Sequence, residues 1–497
     1  MASSSFGAYI NVENAPKIAG PPAVVQKHTN SVPEVPDSID SVELDKLTWG
    51  TRYNGPGSGA VTGTDTPATP DDIEMSRPPS PTAHEAAELV QSFSSPPMNR
   101  YRMVSTCLLN FANGLNDSAP GALIPYIEKN YNIGYAVVSL IFVTNALGFI
   151  SAVLFTDALL SRLGRARTLM VSTMIMLVGY LCIVFAPPFP VVVFGFFFLG
   201  LGMAINLALG NVFASNLSNN TAMLGAMHGS YGIGGTIAPL IATAMITHGA
   251  PWSRFYFLNL AVTAFNFAFA GWAFWKYEQE APVKLLSALE RAASQGATKE
   301  PSKIRLVKRA LKDKVTILGS LFIFSYQGAE VSISGWVISF LINYRNGNPA
   351  DVGYVTAGFW AGITIGRFLL SHPAHKIGER RFVFAVVAGA GVFQLLVWFV
   401  PNVIGDAVAV SIVGLLLGPV YPCATAIFSR LLPRNIQTSS LAFVSATGSS
   451  GGALAPFTTG ILAQAVGTFV LHPVCIGLFG VMEVCWFLLP RVRKRTE

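Results

Sequence analysis

The stretch Gly234-Gly235-Thr236-Ile237-Ala238-Pro239, GGTIAP, returns 217 residues later as Gly451-Gly452-Ala453-Leu454-Ala455-Pro456, GGALAP. Each copy sets a glycine pair four residues ahead of a proline. A second echo accompanies it. Gly148 precedes Gly164 of GRAR by 16 residues, and Gly362 precedes Gly378 of GERR by 16, at an offset of 214. Two echoes at nearly one offset are what a duplicated unit leaves in a sequence. Small residues let helix backbones approach closely in lipid. A proline removes a backbone hydrogen bond and bends the helix that holds it.

Composition says which solvent those helices meet. Of 497 residues, 52% are apolar and only 12% charged, and mean hydropathy is +0.49. A soluble globular chain carries about 25% charged residues, so much of this surface is expected to face lipid. Five cysteines, Cys107, Cys182, Cys423, Cys475 and Cys485, lie in apolar runs without a CxxC pair and read as small buried hydrophobes. The N-terminus has no basic start with an apolar core, so no signal peptide is expected.

Four zones follow along the chain. Residues 1–97, with DTPATPDD and SRPPSPTAHE, are rich in Pro, Ser, Thr and acid and are expected to be a disordered cytosolic tail. Spanning a bilayer takes about 20 mostly apolar residues. Candidate spans lie near 103–127, 135–160, 168–186, 190–215, 222–247 and 254–275, then 315–342, 352–371, 382–400, 406–430, 438–465 and 468–489. The first six form a bundle over 101–275 and the last six a bundle over 315–490, joined by the loop 276–314 with its ten Lys or Arg. Residues 491–497 are a second cytosolic tail. The expected fold is therefore an all-α membrane protein of twelve transmembrane helices in two pseudo-symmetric six-helix bundles, related by an axis along the membrane normal.

Basic residues predict orientation. SRLGRAR (161–167), HKIGERR (375–381), Arg430, Arg434 and the terminal RVRKR alternate with loops poor in Lys and Arg. Both termini and the 276–314 loop are expected in the cytosol. The formal net charge of +7 is then explained by topology and anionic lipid rather than nucleic acid.

Twelve spans, a long central loop and RLGRAR between the second and third resemble the major facilitator superfamily. Within it, GLNDSAPGALIPYIE (114–128), HGSYGIGGTIAP (228–239), YQGAEVSISGWV (326–337) and GITIGR (362–367) resemble the fucose-permease-like branch, in particular its fungal members. The likeness covers residues 101–490. It implies gating at Arg162, Gly164 and Arg165, while close packing and bending make Gly234, Gly235, Pro239, Gly451, Gly452 and Pro456 either gating positions or ordinary packing residues. In the family an Asp usually stands directly before R-x-G-R. Here Ser161 stands there and the nearest acid is Asp157, so the gating salt bridges are expected to differ.

Ionisable groups inside apolar helices cost about 2.5–3.5 kcal/mol at a helix centre on insertion scales and persist where they face a cavity or have work there. Asn110, Asn113 and Asp117 share one helical face at i, i+3 and i+7, with Asn116 beside it. That face is expected to line a central cavity, with Asp117 binding a proton or a polar group of the substrate; a helix-packing carboxylate is the alternative. Gln327, Glu330 and Ser334 repeat the spacing in the seventh span, and Glu330 is expected in substrate or proton binding. Trp336 is read either as a platform for a sugar ring or as an interfacial anchor. His228 is a titratable or packing residue near the cytosolic face. Asn206 and Asn211 are polar candidates in the fourth span, where the resembling permeases carry a second acid and this chain has none. Arg367 either neutralises a carboxylate, binds an anionic substrate or snorkels to the membrane edge. Glu483 is expected to find an internal partner.

No P-loop, GxSxG or HExxH occurs, so no catalysis, metal or cofactor is expected, and a gradient would supply the energy. The expected activity is secondary active transport of a small sugar-like solute with protons, by alternating access, by a monomer in the plasma membrane or the vacuolar membrane. The alternatives are a proton-antiport efflux carrier for drug-like or secondary metabolites, given Phe194–Phe198 and Met203, and a non-transporting nutrient receptor signalling through its tail.

Overall fold

The computed structural model describes residues 91–280, 309, 311–433 and 436–490. Most of the 1–97 tail, most of the 276–314 loop, Arg434 and residues 491–497 lie outside the described residues. The described chain is helical: α1 Met98–Tyr131, α2 Leu140–Val184, α3 Phe189–Ser215, α4 Asn220–Thr247, α5 Phe255–Phe274, α6 Lys314–Asn343, α7 Val355–Leu369, α8 Glu379–Phe399, α9 Val403–Leu417, α10 Val420–Leu431, α11 Gln437–Val466 and α12 Leu471–Leu488.

Several helix limits differ from those expected. The run labelled α2 holds the second and third spans as two helices that meet at a kink at Gly164, whose φ of 76° and ψ of 172° turn the chain. Glycine accepts that backbone without strain. The tenth span is two helices, since Gly418-Pro419 parts α9 from α10. Residues 91–97, assigned to the tail by composition, are seated. Ser218 donates its backbone N–H to the Gln91 carbonyl, and the Asn99 amide donates to Gln91, Ser92 and Ser95.

Seven helical stretches among the described residues are long and apolar enough to cross a membrane: Tyr135–Val184, Phe189–Ser215, Ala222–Thr247, Trp252–Glu280, Glu379–Phe399, Val403–Leu431 and Thr468–Leu488. Large apolar side chains such as Leu154, Ile404 and Phe487 stand exposed on them, at 74–78%. The chain is a multi-pass membrane protein. Helices α1, α6, α7 and α11 fall outside that set. They carry most of the polar groups singled out above, and α7 has only 15 residues.

Glycine contacts tie the helices together in a repeating pattern. A Cβ on Gly148 of α2 would land on the Phe197 carbonyl oxygen, and one on Gly200 of α3 on that of Asn145. At 214 positions on in each case, Gly362 of α7 meets the Ser411 carbonyl and Gly414 of α9 meets that of Phe359. Gly164 and Gly378 both have positive φ. The GGTIAP pair serves two neighbours. Gly234 lies against the Phe111 carbonyl of α1, and a Cβ on Gly235 would lie 3.1 Å from the Trp360 ring of α7. The GGALAP pair is less even. Gly451 packs on the Phe324 carbonyl of α6, while Gly452 has only ordinary contact with Val331. Helix α11 meets the first set of helices elsewhere, where Gly460 touches Ser139 and Gln464 touches Gly134.

Helices α4 and α7 pack along one another, as do α1 and α6, and α11 packs on α2. The α4–α7 seam runs from Gly229 against Phe368 to Thr243 against Gly353. Replacing Gly114, which lies on the Tyr231 carbonyl, by leucine is expected to cost about 1–3 kcal/mol or more through overpacking. Gly480, where an added methyl would meet nothing within 4 Å, is expected to accept alanine unchanged. Thermal unfolding of the two variants in detergent checks the contrast.

Candidate functional site

The side chains singled out on α1 do not share one destination. Asn113 and Asn206 bond each other at 2.8 Å. Asn116 donates to the Met203 sulfur at 3.2 Å and accepts from Tyr180 at 3.3 Å. Asn110 donates to the Thr106 carbonyl of its own helix. All four amides are buried, at 0–1% exposure. Their face points into the first set of helices, at α2 and α3, rather than into a central cavity. Asn113 and Asn206 satisfy one another there, as buried amides tend to. Asp117, one step further round the helix, points the other way. Its Oδ2 accepts from the Tyr231 hydroxyl of α4 at 2.8 Å, and Asn116 approaches its Oδ1 at 3.4 Å.

Across from Asp117 stands the second set. Glu330 of α6 faces the Arg367 guanidinium of α7 at 3.6 Å, with the Tyr326 hydroxyl beside both. Tyr326 is buried and leans on Tyr421 of α10 with centroids 6.0 Å apart. His228 lies near Arg367 from α4. Trp360 of α7 closes the space: its ring meets Tyr231 edge to face at 5.8 Å, and its indole N–H donates to the Ser334 hydroxyl at 2.8 Å. One polar centre therefore draws on α1, α4, α6 and α7, with two carboxylates, one guanidinium and three aromatic rings. Such a group can bind a hydroxyl-rich ligand by hydrogen bonds over an apolar floor. Gln327 borders it, against Gly448 and Gly452 of α11.

Trp336 is in neither of the places expected of it. It is 1% exposed, donates its indole N–H to the Pro456 carbonyl at 2.9 Å and meets Tyr135 edge to face at 5.7 Å. It joins α6 to α11 and to the turn before α2. The tryptophan at the polar centre is Trp360. With Thr364 and Arg367 it lies at i, i+4 and i+7 on α7, a signal present in the sequence and passed over. Tyr231 lies inside the HGSYGIGGTIAP stretch itself. Asn211 and Glu483 lie apart: Asn211 is half-buried on α3 and Glu483 is beside Ala388 of α8.

The RLGRAR turn is held by acids that are distant in sequence. Glu278 accepts the Arg165 backbone N–H at 2.5 Å and lies 3.1 Å from where a Cβ of Gly164 would be. The Arg165 guanidinium donates to the Leu209 carbonyl and stacks on Tyr277. Arg162 is exposed. Arg102, fully buried, bonds Glu280 at 2.8 Å, Asn99 at 3.0 Å and the Ala273 carbonyl at 3.1 Å. In the second set Arg430 bonds Glu379 at 2.8 Å, and Arg380 binds carbonyls at the end of α12, Leu489 among them. The acid missing before R-x-G-R is thus supplied from beyond α5.

Known proteins share this architecture. The family model described as Major Facilitator Superfamily matches residues 106–456 and 328–497. Bypass of stop codon protein 6 of Saccharomyces cerevisiae is 25% identical over 427 residues, covering 82% of this chain and 86% of that protein. A glucose/mannose transporter of Bacillus subtilis is 22% identical over 352 residues, 70% of this chain and 85% of its own. A glucose/galactose transporter of Brucella abortus is 24% identical over 400 residues, 76% and 91%. The crystal structure of a D-xylose-proton symporter matches the fold with a TM-score of 0.62 at 11% identity, covering 80% of this chain and 99% of that one.

Removing Glu280 leaves Arg102 buried without its counter-charge but with Asn99 and the Ala273 carbonyl, which is expected to cost about 1–3 kcal/mol. Arg162→Ala, at an exposed position, is expected to stay within about 0.5 kcal/mol of wild type. Thermal unfolding of the purified proteins in detergent separates the two.

Proposed function

The chain belongs to the Major Facilitator Superfamily, and on that footing we propose that it is a secondary active transporter of a small hydroxyl-rich solute of the sugar class. It moves that solute with protons by alternating access. Twelve spans form two pseudo-symmetric bundles, 101–275 and 315–490, that rock about the polar centre. The glycine contacts repeated at an offset of 214 support the duplication. The basic turns near 161–167 and 375–381 support cytosolic termini. The plasma membrane is the proposed location.

The observation that carries the reading is the pairing of charges at the centre. Arg367 faces Glu330, while Asp117 takes its hydrogen bonds from the neutral groups Tyr231 and Asn116. Among the described residues no cation pairs with Asp117 as Arg367 pairs with Glu330, and its hydrogen bonds come from uncharged side chains. Asp117 is therefore the proposed proton site. Glu330, Arg367 and Trp360 are the proposed solute contacts, with Gln327 and His228 at the margin. Names of the similar bacterial proteins, which include hexose transporters, support the solute class.

The efflux alternative drew on Phe194–Phe198. Phe194 is 55% exposed, stacks on Phe197 and meets Phe198 edge to face, away from the polar centre, which favours the polar solute. The receptor alternative predicts no uptake by the wild type and loss of signalling on deleting residues 1–90.

The test is uptake of labelled hexoses and pentoses by purified protein in liposomes under an inward proton gradient. Accumulation is expected for wild type. Asp117→Asn is expected to abolish gradient-driven accumulation, and Glu330→Gln to weaken apparent affinity at least tenfold, about 1.4 kcal/mol. Sugars left untouched while amphipathic cations move against the gradient would overturn the reading.

A further inference from the structure

The α4–α7 seam is built differently from the other contacts between the two sets of helices. Gly229, Gly232 and Gly235, three residues apart on α4, face Phe368, Thr364 and Trp360 of α7. A Cβ on Gly229 would come within 2.6 Å of Phe368, one on Gly235 within 3.1 Å of Trp360, and one on Gly232 would meet the Thr364 hydroxyl. No side chain of those glycines holds the two helices together. Tyr231 links this seam to α1, since its hydroxyl donates to Asp117 and its ring lies on Trp360. Trp360 is in turn fixed to Ser334, and the Ser334 carbonyl lies on Gly121 of α1. The chain of contacts runs from α1 to α4, α7 and α6 and back to α1.

We propose that Tyr231 is the positioning residue that couples the proton state of Asp117 to the α4–α7 seam. This rests on the reading of Asp117 as the proton site. With Asp117 ionised, the Tyr231 O–H donates to an anion, a bond roughly twice as strong as one to a neutral acceptor. The ring is then held against Trp360, and the seam is locked. When a proton from the medium bonds to Asp117, the Tyr231 O–H remains on tyrosine and meets a neutral acid. The ring is released, and the glycine surface gives α4 and α7 freedom to slide or part. The titratable and charged groups facing Asp117 are Tyr180 from α2, Tyr231 from α4 and Glu330 from α6. Arg367 of α7 is engaged with Glu330, and His228 of α4 lies by Arg367. A proton shared with Glu330 would act through Arg367 instead and would not need the tyrosine hydroxyl.

The experiment measures the seam itself. Spin labels are placed at Gly225→Cys on α4 and Leu369→Cys on α7, both exposed, in full-length protein with Cys107 and Cys182 replaced. Distance distributions are recorded in nanodiscs at acidic and mildly alkaline pH, beside proton-driven uptake in liposomes. Wild type is expected to shift its distribution with pH. Asp117→Asn is expected to hold the acidic distribution at both. Tyr231→Phe, which keeps the acid and the ring and loses the O–H, is expected to lose the shift. Ser334→Ala, a milder change that frees Trp360, is expected to diminish it and carries the test should Tyr231→Phe not yield a monodisperse protein. A full shift retained in Tyr231→Phe, or in Ser334→Ala where that variant stands in, while Asp117→Asn loses it, would overturn the role of Tyr231 and leave Asp117 as the proton site. Absence of a shift in wild type, with uptake indifferent to the gradient, would overturn both.

Discussion

A carbonyl oxygen and a Cβ cannot occupy one place, and the interior of this protein is arranged around that constraint. Glycines stand at close crossings of helix backbones: Gly148 on Phe197, Gly200 on Asn145, Gly234 on Phe111, Gly362 on Ser411 and Gly451 on Phe324. In lipid, helices gain little from hydrophobicity against one another, and close van der Waals contact has to supply the association. The same contacts fix where the polar residues fall. Gly114 and Gly234 set the distance between α1 and α4, and that distance lets Tyr231 reach Asp117.

The polar centre then follows from charge in a poor solvent. Two carboxylates and one guanidinium meet among aromatic rings. The ion pair between Glu330 and Arg367 is loose at 3.6 Å. The remaining acid has only neutral donors. Each turn at the basic end repeats the same logic at lower stakes. Buried Arg102 and Arg165 are met by Glu280, Glu278, backbone carbonyls and the Tyr277 ring. Those contacts tie the end of α5 to the starts of α1 and of the second half of α2 and to Leu209 of α3.

Much of this was legible in sequence because lipid leaves few options. Apolar runs of span length have to be helices, and repeated glycines mark crossings whatever their neighbours. The glycine pair of GGTIAP gave its helix correctly but not its partners, since one glycine serves α1 and the other α7. Periodicity placed Asn110 and Asn113 with Asp117, yet a shared face says nothing about which helix it meets. It met α3, and Asp117 at its edge met α4. Trp336 and Trp360 are both tryptophans in apolar helices, and no local pattern tells a buried clamp on Pro456 from a residue at the polar centre. Glu278 and Glu280 were hidden because their partners, Arg165 and Arg102, are more than a hundred residues away.

The proposed binding of solute at the centre can be read out at Trp360 itself. With 5-fluorotryptophan incorporated, the Trp360 fluorine resonance is identified by its loss in Trp360→Phe, and sugars are titrated into the purified protein. A transported sugar is expected to shift that resonance saturably while Trp398, distant on α8, stays fixed. A Trp360 resonance indifferent to every sugar that the protein moves would contradict the assignment of this centre as the binding site.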